Sequence, residues 1–290
     1  MRGDMPEPAP SALFLRCADE YPLAANLFRA VGSARGAVVL APALGVPRKF
    51  YAAFAQFLAE RGYDALTFDW RGSGESARGP ARGRDLRMQH WGERDLEAAL
   101  RHARETLGAR RVFVVGHSAG GQLIGLAPAS ESLRGAVLVA ASAPHLRHYP
   151  PRAWPKLALT WYLLGPLLSR GRDDFPTRQT GLGSTGVAAG VVAQWCRWAR
   201  SRDYLFTPSQ NVDTRRYAGL KLPLLSWCFA DDDYAPPPAV DALLAQFPSA
   251  QRTSVVEPRD AAQPIGHFGF FRPQRRDTLW RRTADWLDGV

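Results

Sequence analysis

The chain has 290 residues, 46% hydrophobic and 22% charged, and a domain of this size buries about three quarters of the surface its unfolded chain exposes. That composition excludes a disordered chain, a collagen and a coiled coil. The formal charge of +10 raises the question of nucleic acid, but the arginines run thinly from Arg2 to Arg282 among Asp and Glu, with no basic stripe set between aromatics, so nucleic acid is not an expected partner.

The longest apolar window, Leu157 to Leu168, is interrupted by Gly165 and Pro166 and falls short of the roughly 18 residues that span a bilayer, so no stable membrane insertion is expected. Residues 1–10, with Asp4, Glu7 and several prolines, read as a short disordered tail rather than a secretory signal, which leads to the expectation of a cytoplasmic protein. Cys17, Cys196 and Cys228 are odd in number and match no metal or disulfide spacing. Buried free thiols are expected, with no metal site.

Leu13 to Arg16 and Leu23 to Arg29 suggest two antiparallel edge strands. From Ala37 short apolar runs alternate with helical patterns, which predicts a mostly parallel sheet with flanking helices. Ala37–Ala41 and Tyr63–Phe68 are the first two buried strands, separated by a helix over Arg48 to Arg61 with apolar residues at Phe50, Tyr51, Phe54, Phe57 and Leu58. His90 to Leu107 repeats the helical spacing and closes on Gly108. Arg111–Val115 and Gly135–Ala140 are central strands; Leu222–Phe229 and Arg252–Val256 are the last two, ahead of a helix over Arg275 to Leu287.

Between these halves, residues 143–211 lose the rhythm and carry no expected strand, only helices at Trp154 to Leu168 and Val187 to Arg200. A stretch of that length is too long for a plain connection. It reads as a helical cap inserted into a core formed by 11–142 and 212–290. Gly165 and Pro166 are expected to break its first helix and give it a hinge.

The run Val112-Phe113-Val114-Val115-Gly116-His117-Ser118-Ala119-Gly120-Gly121 is a buried strand entering Gly-x-Ser-x-Gly and then a helix. That context resembles the nucleophile elbow of the α/β-hydrolase superfamily, in which a strained turn thrusts a serine clear of the sheet and the N–H groups of the following helix face developing negative charge. A second passage, Phe68-Asp69-Trp70-Arg71-Gly72-Ser73-Gly74-Glu75-Ser76, is similar to the D-x-R-G-x-G-x-S turn found after the fourth strand in many of its members. Asp69 and Ser76 read as parts of a fixed polar turn, not as catalytic groups. With Gly45-Val46-Pro47 and Gly266-His267-Phe268-Gly269-Phe270-Phe271, the likeness extends to a group of bacterial predicted serine hydrolases whose substrate is unsettled, and it covers about residues 13–289.

The resemblance implies an α/β-hydrolase fold and a Ser-His-Asp triad with Ser118 as nucleophile. Its base is expected at His267, in the loop after the last strand; His117 sits inside the elbow pointed away from Ser118, and His90, His102, His145 and His148 lie on or beside helices. The acid belongs to the strand-end loop Ala230-Asp231-Asp232-Asp233-Tyr234-Ala235-Pro236. Matching Ala235-Pro236 to the family's Val-Pro step puts it at Asp232, counting from Ala230 at Asp233, and Asp232 is preferred, its neighbours being expected in solvent. The oxyanion hole implied by the family uses the backbone N–H of Ala119 and one from the loop Ala41 to Pro47, here Leu44, although Pro42-Ala43 stand where many relatives have His-Gly.

These residues lead to an expected hydrolase of an ester or thioester of an apolar acyl group, with no cofactor. Alternatives are an acyltransferase or amidase using the same triad, or a non-catalytic binding protein on the same fold. Substrate contacts are expected from Trp154, Trp161 and Tyr162 of the cap, the partner is a small-molecule ester or thioester, and a homodimer is left open.

Overall fold

The computed structural model describes residues 10–77 and 79–290, so the expected tail lies, through residue 9, outside the described residues. The strands of the main sheet are β1 Ser11–Arg16, β2 Pro22–Phe28, β3 Gly36–Ala41, β4 Tyr63–Phe68, β5 Val112–His117 and β6 Gly135–Val139. A two-stranded pair, β7 Asp174–Phe175 and β8 Val187–Ala188, comes next, and β9 Pro223–Phe229 and β10 Gln251–Glu257 complete the main sheet. The eight main strands lie in the order β1-β2-β4-β3-β5-β6-β9-β10. β1 and β2 are antiparallel to each other and β2 to β4, and the rest are parallel, as the alternating pattern predicts.

β3 to β6 are buried along their whole length because helices cover both faces, which is why they read as unbroken apolar runs. From β3 the chain turns one way to β4 and then returns to place β5 on β3's other side. A crevice opens at such a reversal, outside the carboxyl ends of the strands. The loop after β3 and the turn after β5 line it, so topology alone fixes where Leu44 and Ser118 meet.

The helix expected at 48–61 forms as a tight turn, Arg48–Tyr51, running into Ala52–Glu60. A continuous helix spans 88–106, with wide i→i+5 turns at Trp91–Leu96 and His102–Thr106, and another spans 276–289. A helix at Pro237–Leu244 was not expected from the sequence. Its prolines read as loop, yet they occupy the first turn, where the missing N–H would have had no partner.

The excursion between β6 and β9 departs from expectation twice. It contains the pair β7/β8, and β8 anchors it to the sheet, since Ala188 N–H donates to Gly72 O at 2.7 Å in the turn after β4. Strands of two residues are too short to show alternation in a sequence. The helix 154–169 also runs unbroken through Gly165 and Pro166. Wide i→i+5 turns at Leu159–Leu164 precede the proline and accommodate its missing N–H. Gly165 is needed for contact, not hinging: a Cβ there would stand 2.2 Å from Cys196 Sγ on the helix Ala189–Ala199.

All three cysteines are free and buried, and burial pushes Cys196 and Cys228 up to about 12, so neither is a reactive thiolate. The D-x-R-G turn is held from below by a buried ion pair. Arg71 Nε donates to Asp95 Oδ1 at 2.6 Å and Arg71 N–H to Asp95 Oδ2 at 2.9 Å, while Arg71 Nη1 reaches Asp19 at 2.7 Å in the β1–β2 turn. Removing one partner of such a pair strands the other charge in the core. Asp95→Ala is therefore expected to cost about 3–5 kcal/mol and lower the melting temperature by on the order of 10 °C, read by thermal unfolding.

Candidate active site

β5 ends at His117, and Ser118 follows with φ +49° and ψ −113°, a conformation costing on the order of 1–3 kcal/mol that the surrounding structure must hold. Two contacts hold it: Ser118 N–H donates to Val139 O at 2.9 Å, and Gly121 N–H donates back to Ser118 O at 3.0 Å. Gly120 has no alternative, since a Cβ there would lie 2.1 Å from Ala41 O. The helix behind the elbow is one turn, Ala119–Gln122. It contributes the individual Ala119 N–H rather than a long helix dipole.

His267 and Asp232 face each other, Nδ1 to Oδ2 at 2.7 Å, with both side chains nearly out of solvent. The other oxygen, Oδ1, accepts Tyr234 N–H at 2.7 Å and Ala235 N–H at 3.1 Å. With both oxygens occupied, Asp232 is fixed as acceptor of the Nδ1 proton, which leaves Nε2 of His267 unprotonated and able to take a proton. Of the two alignments left open by the sequence, the structure brings Asp232 and not Asp233 to the imidazole; Asp233 is exposed.

Asp231 does not lie free in solvent as expected. It is half-buried, and its carboxylate accepts Ile265 N–H at 2.8 Å and Gly266 N–H at 3.0 Å, holding the loop that carries His267. Adjacent carboxylates on one strand-end turn thus point to two parts of one loop.

His117 has a role the sequence did not reveal. Its Nε2 lies 2.8 Å from the backbone carbonyl oxygen of His267, and its Nδ1 2.9 Å from Tyr51 Oη. A carbonyl only accepts, so Nε2 carries the proton and the bare Nδ1 accepts from the Tyr51 hydroxyl. The Tyr51 oxygen in turn accepts Ala43 N–H at 2.8 Å. Burial, then the neighbouring His267, holds His117 well below the usual imidazole range, so the neutral form this chain requires is the one present. The sequence shows Tyr51 only as one more apolar position on a helix face.

With Ala43 N–H engaged, Leu44 N–H and Ala119 N–H are left without a protein acceptor, and both residues line the pocket that Ser118 and His267 share. The pocket has a volume of about 170 Å³. Leu157, Thr160, Trp161 and Trp195 roof it from the excursion, and Tyr149 and Tyr234 form a wall. Trp161 is buried there, its ring 5.8 Å from Tyr149 and 6.2 Å from Trp195. Trp154 and Tyr162, the other expected substrate contacts, do not line it: both are largely exposed, and Trp154 Nε1 donates to Tyr149 O. No other histidine reaches the pocket lining, and burial pulls His90 down to about 4 and lowers His102, His145 and His148. Among the described residues, no group of three or more His, Cys, Asp or Glu side chains could hold a metal ion.

The sequence pattern of the family described as serine aminopeptidase, S33, matches residues 32–173, just under half of the chain. No curated protein matches it in sequence. Among solved structures, a soluble variant of monoglyceride lipase from Saccharomyces cerevisiae is similar with a TM-score of 0.68 at 17% identity, over 99% of this chain and 97% of its own. A thermostable carboxyl esterase from Bacillus coagulans is similar with a TM-score of 0.66 at 14% identity, over 98% and 99%. A thermophilic esterase from Thermogutta terrifontis follows with a TM-score of 0.61 at 16% identity, over 96% and 98%. At these identities the likeness is one of fold.

The three aspartates are expected to separate in steady-state kinetics on a soluble ester. Asp232→Asn lowers kcat by several orders of magnitude by releasing the imidazole tautomer, Asp231→Asn lowers it about tenfold by loosening the base loop, and Asp233→Asn leaves it unchanged. Equal small losses at all three would remove the acid from this loop. Tyr51→Phe deletes the hydroxyl between Ala43 and His117, and its kcat is expected to fall about 10- to 100-fold at nearly constant KM. A tyrosine serving only for packing would lower the melting temperature and leave the kcat of the folded enzyme intact.

Proposed function

We propose that the chain, which has the fold of the esterases and lipases it resembles, is a serine hydrolase cleaving esters of apolar acyl groups through Ser118, His267 and Asp232. The carrying observation is a convergence on one pocket: a serine at φ +49°, an imidazole oriented by a buried carboxylate, and two backbone N–H groups with no protein acceptor. Ser118 Oγ attacks the acyl carbonyl as its proton passes to His267 Nε2, and the oxyanion receives Leu44 and Ala119 N–H. His267 then returns the proton to the departing alcohol. Water repeats the sequence on the acyl-enzyme and regenerates Ser118. Thioesters obey the same chemistry.

An aminopeptidase activity, which the description of the matching family suggests, is not favoured. Recognition of a free α-ammonium needs a carboxylate in the pocket, and the lining contains no Asp or Glu while it includes Lys156. Leu157, Trp161 and Trp195 suit a hydrocarbon chain. A water needs roughly 10–15 Å³ of such space, so there is room for on the order of ten small groups, which favours acyl chains of medium length.

Ser118→Ala is expected to abolish turnover, a loss of roughly 10⁶-fold, while leaving the far-ultraviolet dichroism unchanged. With acetyl, butyryl, hexanoyl and octanoyl p-nitrophenyl esters, kcat/KM of the wild type rises several-fold per added methylene to a limit, because each buried methylene contributes about 0.8 kcal/mol. Trp161→Ala shifts that limit to longer chains. Residual activity in Ser118→Ala above a tenth of wild type would overturn the nucleophile; acetyl as best substrate, with a ranking indifferent to Trp161→Ala, would overturn the acyl preference.

A further inference from the structure

The helix 154–169 is apolar on both sides. Its inner side gives Leu157 and Trp161 to the pocket. On its outer side, where a surface helix ordinarily carries charge, stand Leu159, Tyr162, Leu163 and Leu167, exposed to 48%, 51%, 54% and 59%. These positions recur at helical spacing, so they form one stripe rather than scattered apolar residues.

The charge around the stripe is one-sided. Residues 143–172 contain Arg147, Arg152, Lys156, Arg170 and Arg172 and not one Asp or Glu, and of Asp173 and Asp174, which follow, the first is paired with Arg84 outside the helix. Among the described residues, only Arg147 of the five has an acidic partner, Asp203 at 3.2 Å, and Lys156 turns to the pocket, 5.8 Å from the Tyr234 ring, which leaves Arg152, Arg170 and Arg172 without one. Arg200 adds a sixth cation, its guanidinium 5.7 Å from the Tyr162 ring. The charge that reads as thinly spread in the whole sequence is concentrated here.

We propose that the outer face of helix 154–169 docks on an anionic lipid surface, the leucine stripe entering the headgroup boundary while the flanking cations meet lipid phosphates. A helix bearing Leu and Tyr along one face with Arg and Lys at its margins is what binds such an interface lying in its plane. It does not span the bilayer: among the described residues no helix is long and apolar enough to do so. A second copy of the chain is the poorer occupant, because pairing the faces would bring two clusters of cations together. An acidic polypeptide would satisfy the cations and leave the leucines unused.

Co-sedimentation with vesicles tests the proposal, using Ser118→Ala protein so that no lipid is consumed and the outcome does not depend on the esterase reading. Partition is expected to be at least tenfold stronger to phosphatidylcholine vesicles containing about one-third phosphatidylglycerol than to phosphatidylcholine alone, and to weaken at high salt. Replacing the stripe by Leu159→Ser, Leu163→Ser and Leu167→Ser together removes the partition at least tenfold. Arg170→Gln with Arg172→Gln weakens it without abolishing folding. In the Ser118 background the triple variant keeps wild-type kcat/KM on a soluble butyryl ester, which shows that it is folded and that its pocket is intact. Failure of the protein to sediment with anionic vesicles would overturn the proposal. So would binding retained by the triple variant, a concentration-dependent dimer abolished by the same substitutions, or poly-glutamate binding as tight as the vesicles and indifferent to the leucines.

Discussion

One neutral imidazole, buried at the end of β5, joins three segments that the chain supplies from positions 43, 117 and 267. His117 can donate only from Nε2, because the group it meets there is a carbonyl, and can then only accept at Nδ1. That single direction propagates: the Tyr51 proton points to His117, and the Tyr51 lone pair receives Ala43 N–H. The loop behind β3 is thereby turned with Ala43 inward and Leu44 free, the elbow is tied to that loop, and the backbone beside the imidazole of His267 is tied to the elbow. No member can reverse without leaving a buried polar atom unpaired, at a cost of about 1–3 kcal/mol. The pocket is thus assembled before any substrate arrives, which is the condition for N–H groups to stabilise charge that develops only during reaction.

The sheet was legible in the sequence because its central strands are buried on both faces, and runs such as Val112 to Val115 have no other stable place to go. The elbow was legible for a related reason: Gly120 lies so close to Ala41 O that no side chain fits, and the requirement leaves a visible mark. His267 and Asp232 followed from their loops. What stayed hidden depended on direction rather than residue type. Tyr51 looks like any apolar helix position, and its hydroxyl matters only because topology sets it beside His117. Asp231 and Asp233 are identical in sequence context and differ by which side of one turn they occupy.

The excursion was the least legible part, for a physical reason. The helical period marks a buried face only when the other face is polar, so a helix with Leu or Trp on every side gives no sign of which face is covered. Trp161 turned inward while Trp154 and Tyr162 turned out, although all three read alike. Gly165 and Pro166, which suggest a hinge, instead belong to a helix whose close approach to Cys196 needs the glycine.

A division of labour follows from where each kind of constraint acts. Beneath the pocket nearly every polar atom of the machinery has a named partner, so substitutions there disturb orientation. Above it, Trp161 and Trp195 line the pocket and pack edge to face on each other, contacts that tolerate changes of volume more readily than a directed hydrogen bond tolerates a change of angle. The two-stranded pair β7/β8 fastens this adaptable roof to the D-x-R-G turn, and that turn is in turn fixed by the Arg71–Asp95 pair. Roof and base are thus joined through a buried charge pair that touches neither the serine nor the pocket, and loosening it would shift the size of the pocket before it altered the geometry around Ser118.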